Sequence, residues 1–273
     1  MSYLMLNVKN LHPININNLK RIGRDNDGGY IIPKIIIDKC DGLLSYGINK
    51  DWSFELDFLK RRKNINVHCY DHTLNLSSLI KFTFKSILLC TIYIIILDKK
   101  RLAKSVYGLS IIKSYFKFFR ENTKHFRKRI WSDNDGINRT VDSTIEKIQS
   151  KGSKQIFIKM DIEGAEFKVL NEINNIKENI IGLAVEFHDI NSKSKEFNAI
   201  IDGLRKTFHI AHIHGNNYSE INSKSNFPSS VEITFISKKL LKGVIKKSDM
   251  KYPIKGLDQP NRHSKPDINL SFS

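Results

Sequence analysis

The sequence predicts a doubly wound α/β fold: a mostly parallel sheet with an antiparallel late strand, interrupted by an inserted basic and apolar segment. Three observations predict it. Short β-branched or apolar runs alternate with helical patterns from Gly42 onward. Several of those runs end on glycine or acid, which in such a sheet share one edge. The last two runs, 209–214 and 231–237, have no helical pattern between them and should pair antiparallel. A chain of 273 residues with 40% hydrophobic side chains fits one domain, 1–273, and excludes disordered or low-complexity architectures.

Taken in order, 1–40 is an N-terminal extension in which Gly28 and Gly29 turn the chain before the apolar run from Tyr30 to Ile32. Residues 42–46 form the first strand, ending at Gly47. Residues 51–62 follow as a helix with Trp52, Leu56, Phe58 and Leu59 inward, and 65–70 form the second strand, ending at Asp71. The stretch 73–124 exceeds an ordinary crossover and reads as an insertion between the second and third strands. Within it, the apolar run 86–97 is shorter than the ~20 residues a bilayer needs, and Lys81, Lys85 and Asp98 bracket it, so a buried segment is expected. Lys113, Lys117, Arg120, Lys124 and Arg127 recur at helical spacing, with Phe116, Phe119, Phe126 and Ile130 as a second face.

The alternation resumes with a strand at 125–131, a helix at 140–149, a strand at 155–160 and a turn at 161–164. A helix at 165–173, a strand at 180–187 and a helix at 195–208 come next, and 238–273 reads as a peripheral C-terminal arm.

The formal charge of +17 partly reflects a general richness in Lys, Ile and Asn. Its concentration is more telling: 99–104 and 113–129 hold eleven basic side chains and one acid, Glu121, which points to an anionic partner. Three cysteines at unrelated spacings argue against a disulfide framework or a structural zinc site. The start MSYLMLNVKNLHP lacks a basic leader and a cleavage site, so a cytoplasmic location is expected.

Four polar clusters fall at predicted strand ends: Tyr46 and Gly47, Asp71, 161–164, and 186–188. Gly47 allows close backbone approach, and Asp71 is placed to accept hydrogen bonds from a ribose diol. The turn YGINKD is not the G-x-G-x-x-G loop that a dinucleotide pyrophosphate favours, so a nucleoside cofactor without phosphates fits better.

The run KMDIEGAEF, 159–167, is the sharpest local signal. With TVDSTIEKI before it and LAVEFH after it, the chain resembles the FkbM-type S-adenosylmethionine-dependent methyltransferases. DGGY at 27–30 and HIHGNN at 212–217 look similar to a polysaccharide-associated branch. The resemblance implies a Rossmann-like methyltransferase sheet and O-methylation of a sugar, nucleotide-sugar or glycan acceptor. It also implies that Tyr46 and Gly47 flank the methionine and ribose of the cofactor, that Asp71 takes the ribose hydroxyls, that Ser132 and Asp133 lie by the adenine, and that Asp161 lies near the sulfonium.

His188 and His214 are the candidate bases beside Asp161, with Asn216 and Asn217 for acceptor hydroxyls. Glu163 would be the turn carboxylate at the start of the next helix, and Glu166 would lie on that helix's surface. Asp161, Glu186 and His188 are also adequate ligands for a divalent metal, although a metal is not the favoured reading. The basic insertion suits peripheral membrane contact. Nucleic-acid methylation and a non-catalytic binding role are the alternatives. All of this requires Asp71 and Asp161 to share one cleft.

Overall fold

The computed structural model describes residues 6–171, 178–223 and 225–272, with the main chain alone for Lys100, Lys104 and Asn171. The chain opens with an antiparallel hairpin, β1 (Leu19–Ile22) and β2 (Tyr30–Pro33), and a short helix α1 (Lys34–Lys39). Strand β3 (Gly42–Tyr46), helix α2 (Ser53–Arg61) and strand β4 (Asn66–Tyr70) follow as expected. The insertion forms three helices, α3 (Leu76–Ile95), α4 (Lys99–Leu109) and α5 (Ile111–Phe118).

Strand β5 (Thr123–Phe126) and the small parallel pair β6 (Arg129–Ile130) and β7 (Asn138–Arg139) lead into α6 (Val141–Gln149), N-capped by Thr140. The remainder is β8 (Ile156–Met160), α7 (Glu166–Asn171), β9 (Ile180–Phe187), α8 (Ser194–Thr207), β10 (Phe208–Gly215), the ladder of β11 (Ile221–Asn222) with β12 (Phe227–Pro228), and β13 (Val231–Ser237).

Among the described residues, seven strands make one sheet in the order β10-β13-β9-β8-β3-β4-β5. β13 is antiparallel to both neighbours, whereas β3, β4, β5, β8 and β9 run parallel. This is the doubly wound α/β order with an antiparallel strand slotted inside one edge. β3, β8 and β9 are buried along their whole length because helices cover both faces. On one face Ile145 and Ile148 of α6, Leu170 of α7 and Phe197 and Leu204 of α8 pack on the sheet. On the other, Ile36 of α1, Phe58 of α2 and Ile111 of α5 do the same. Strand order reverses between β3 and β8, and that edge is where a crevice opens.

Several expectations are corrected. The apolar run 86–97 belongs to a longer helix that starts at a capping box of Asn75 and Ser78, and most of its large side chains are exposed rather than buried. The basic periodicity through Arg127 does not stay helical, since α5 stops at Phe118 and Lys124 lies in β5. The third strand begins two residues earlier than read and ends at Phe126. The C-terminal arm is not peripheral: Tyr252, Ile268 and Leu270 are buried in the core beside β10 and β13. The far end of the helix read at 165–173 lies outside the described residues.

Candidate active site at the strand tips

A cleft of about 1660 Å³ opens over the ends of β3, β4 and β8. Gly47, Asp71, Asp161 and Glu163 all line it, so the two carboxylates on which the sequence reading depends do share one space. The extension and the arm also reach it, through Arg24 to Gly28 on one side and Asn261 and His263 on the other.

Gly47 has φ of 74°, and a Cβ there would stand 1.7 Å from the Asp161 carbonyl oxygen. The glycine is therefore required for β3 and β8 to meet at the switch point, rather than for a ligand to approach. Tyr46 is wholly buried and its hydroxyl pairs with Thr144 Oγ1 at 2.6 Å, so it belongs to the core and does not line the cleft.

Asp71 is heavily engaged. Oδ2 accepts the backbone N–H groups of Ile48 at 3.1 Å and Asn49 at 2.7 Å, while Oδ1 accepts Thr73 N at 2.7 Å, Thr73 Oγ1 at 2.6 Å and Leu74 N at 3.2 Å. Burial disfavours its charge, but these bonds outweigh burial and hold its pKa below the usual carboxylate range. Asp71 thus ties the β3 and β4 turns together. Tyr70 beside it lines the cleft, and its hydroxyl is buried with no hydrogen-bond partner.

Ser132 and Asp133 are exposed and fall outside the cleft wall, where Lys128 to Trp131 stand instead. Asp133 accepts from Asn138 Nδ2 at 3.1 Å and helps close the loop before β7.

The acids of the signature motif exchange the roles expected of them. Glu166 is fully buried, and its Oε1 accepts the N–H groups of Ile162 and Gly164 at 3.1 Å each. It is the turn carboxylate, and Glu163, at φ 55° and largely exposed, opens on the cleft. Glu166 Oε1 also lies 3.1 Å from His188 Nδ1. Burial opposes charge on His188, but Glu166 and Glu186 overcome it and raise the imidazole to about 9. His214 behaves alike: burial is outweighed by Asp267, at 2.9 Å and 3.1 Å, and Glu232, at 3.4 Å, which raise it to about 10. Both rings are protonated at neutral pH, and neither lines the cleft, so neither serves as a general base in this geometry.

Sequence reasoning missed Lys159. It is buried, donates to the Gly47 carbonyl at 2.6 Å and stands 3.8 Å from Asp161 Oδ2. Burial disfavours its charge, yet Asp161, Glu55 and Glu186 together raise its pKa. Asp161 keeps a raised pKa because burial outweighs the pull of Lys159 and His188. Lys159 stood within the quoted motif, and a lysine in an otherwise apolar strand was the signal available.

Asp161, Glu186 and His188 can each bring a ligand atom within 4.8 Å of the others, as a metal would need. Lys159 already supplies compensating charge there. Asn216, expected at the acceptor, instead donates to Glu186 at 2.6 Å, and Asn217 donates to the carbonyls of Arg262, Lys265 and Pro266.

The sheet order and its strand-tip crevice define a Rossmann-like methyltransferase fold. Residues 99–216, less than half of the chain, match the model of the methyltransferase FkbM domain, a likeness that supports S-adenosylmethionine-dependent methyl transfer. The match includes β5 to β10 and the Asp161 motif, and begins after Gly47 and Asp71.

A methyltransferase FkbM from Methylobacillus flagellatus KT aligns at 12% identity and a TM-score of 0.38, over 71% of this chain and 44% of that one. A precorrin-6y C5,15-methyltransferase from Geobacter metallireducens GS-15 aligns at 8% and 0.36, over 75% and 87%. The fibrillarin pre-rRNA processing protein of Methanococcus jannaschii aligns at 8% and 0.36, over 74% and 68%. None of these likenesses bears on substrate or site. No curated protein matches the sequence significantly.

Proposed function

We propose that the chain is a cytosolic O-methyltransferase that uses S-adenosylmethionine to methylate a hydroxyl of a sugar or glycan precursor. The observation that carries the reaction is Asp161, at the switch point, largely buried but lining the cleft that it shares with Asp71. The donor set suits a nucleoside sulfonium. Asp161 and Glu163 offer negative charge, and Tyr70 on the wall carries a buried hydroxyl that has no hydrogen-bond partner. The cofactor supplies an activated methyl group when bound.

The sugar assignment rests on the resemblance carried by DGGY and HIHGNN, and Asp27 and Gly28 of the former line the cleft. Trp131 and Tyr218 add aromatic planes to the cleft lining, on which a sugar ring can stack.

In the proposed mechanism, positioning supplies much of the rate and the acceptor hydroxyl must lose a proton. With His188 and His214 both charged, Asp161 is the group that takes it, and its raised pKa makes it a better base than an ordinary aspartate. Lys159 holds Asp161 in place and steadies the Gly47 turn.

Calorimetry with S-adenosylhomocysteine tests the cofactor, and mass spectrometry of candidate glycans for one added methylene tests the acceptor. Asp161→Asn should lower kcat by ~10²–10⁴-fold while S-adenosylhomocysteine still binds. Full activity in that variant would remove Asp161 as the base.

A further inference from the structure

The hairpin of α3 and α4 is packed inside out. Its seam is small and polar: a Cβ on Gly108 would meet the Ser86 hydroxyl at 1.9 Å, and Thr83 Oγ1 donates to the Gly108 carbonyl at 3.1 Å. Its outer surface is apolar. Phe84, Leu88 and Val106 are exposed, and Ile95 and Leu97 at the tip are exposed to 79% and 82%. A helix pair in water normally turns its large apolar side chains inward. Close small-residue seams with polar cross-links are what apolar surroundings select.

By length and composition α3 matches a membrane span, with a hydropathy of 1.7, yet only 17% of that stretch is buried, so it is not a core helix. It cannot cross and return. The insertion leaves β4 and re-enters at the adjacent β5 in the same sheet, and α4, at about 16 Å, is too short to recross a ~30 Å hydrocarbon core.

Charge identifies what covers this face. From His72 to Arg120 nine Lys and Arg accompany a single acid, Asp98, whose carboxylate caps α4 and pairs with Arg101. Lys81 on α3, Lys99 and Arg101 beyond the tip, and Lys113 and Lys117 on α5 are all exposed. A second copy would bring nine cations against nine. An anionic bilayer complements both features, with acyl chains for the tip and headgroup phosphates for the cations.

We infer that the α3–α4 hairpin docks this protein on an anionic membrane surface, with residues 94–97 dipping into the acyl region and the surrounding cations on the headgroups. Phe82, Lys85 and Tyr107 at the hairpin base line the cleft, so docking holds the cleft mouth on the membrane-facing side of the chain.

Flotation of the full chain with phosphatidylcholine vesicles, with and without phosphatidylglycerol, tests this. Binding is expected only with phosphatidylglycerol and should fall with salt. Arg101→Gln and Lys113→Gln should each weaken it about fivefold. Leu88→Glu with Ile95→Glu should abolish flotation while leaving the melting temperature and S-adenosylhomocysteine binding unchanged. The inference is overturned if the chain fails to float with anionic vesicles, or if the double variant floats like the parent. It is equally overturned if the double variant instead loses a salt-stable dimer or single-stranded RNA binding without any change in flotation.

Discussion

His188 carries a proton at neutral pH because Glu166 and Glu186 face it, and that charge contributes to folding. Its folded pKa, about 9, lies above the ordinary 6.5, so the contribution is complete below about pH 6.5 and is lost as pH rises through 9. Urea unfolding from pH 6 to 10 should show stability declining across that window, and Glu166→Gln should flatten the decline. Lys159 is a second residue whose charge matters to the fold. Replacing it with methionine leaves Glu55 and Asp161 facing a buried site without their cation, and should cost about 3–5 kcal/mol.

At the scale of elements, the β3 turn decides whether a cleft exists. Gly47 lets the ends of β3 and β8 touch, and the Asp161 carbonyl it meets is backbone that cannot swing aside. Gly47→Ala should therefore remove more than about 4 kcal/mol in urea unfolding, with or without cofactor. A milder outcome would mean that β8 can slide away from β3. The same close approach explains why the turn departs from a glycine-rich loop: one glycine suffices where the neighbour is the adjacent strand.

Across the whole molecule, the C-terminal arm completes the antiparallel edge. His214 of β10 lies opposite Glu232 of β13, which lies opposite Glu186 of β9, a buried row of charge across three strands. Two acids directly opposed would repel. His214, which Asp267 of the arm helps to keep protonated, sets a positive charge 3.4 Å from Glu232, and Asn261 of the arm donates its Nδ2 to Glu232 at 2.6 Å. A chain ending at Leu241 should therefore melt on the order of 10 °C lower by calorimetry, since it strands several buried charges.

What was legible in the sequence was local. Most strand and helix periods from Gly42 to Ser237, the antiparallel final pair and the KMDIEGAEF motif follow from neighbours a few positions apart, where the chain's own geometry sets the pattern. Asp71 and Asp161 converge because both end parallel strands of one sheet, and strand ends can be read in one dimension.

Which side chain of a turn faces inward cannot be read that way. Glu163 and Glu166 differ only in position, and the tertiary packing of α7 against β9 places Glu166 beside His188. The protonation of His188 and His214 depends on acids 22 and 53 residues away in sequence. Exposure of the insertion's apolar face was equally hidden, because hydropathy reports what a helix would bury and only the folded chain decides whether anything is there to bury it.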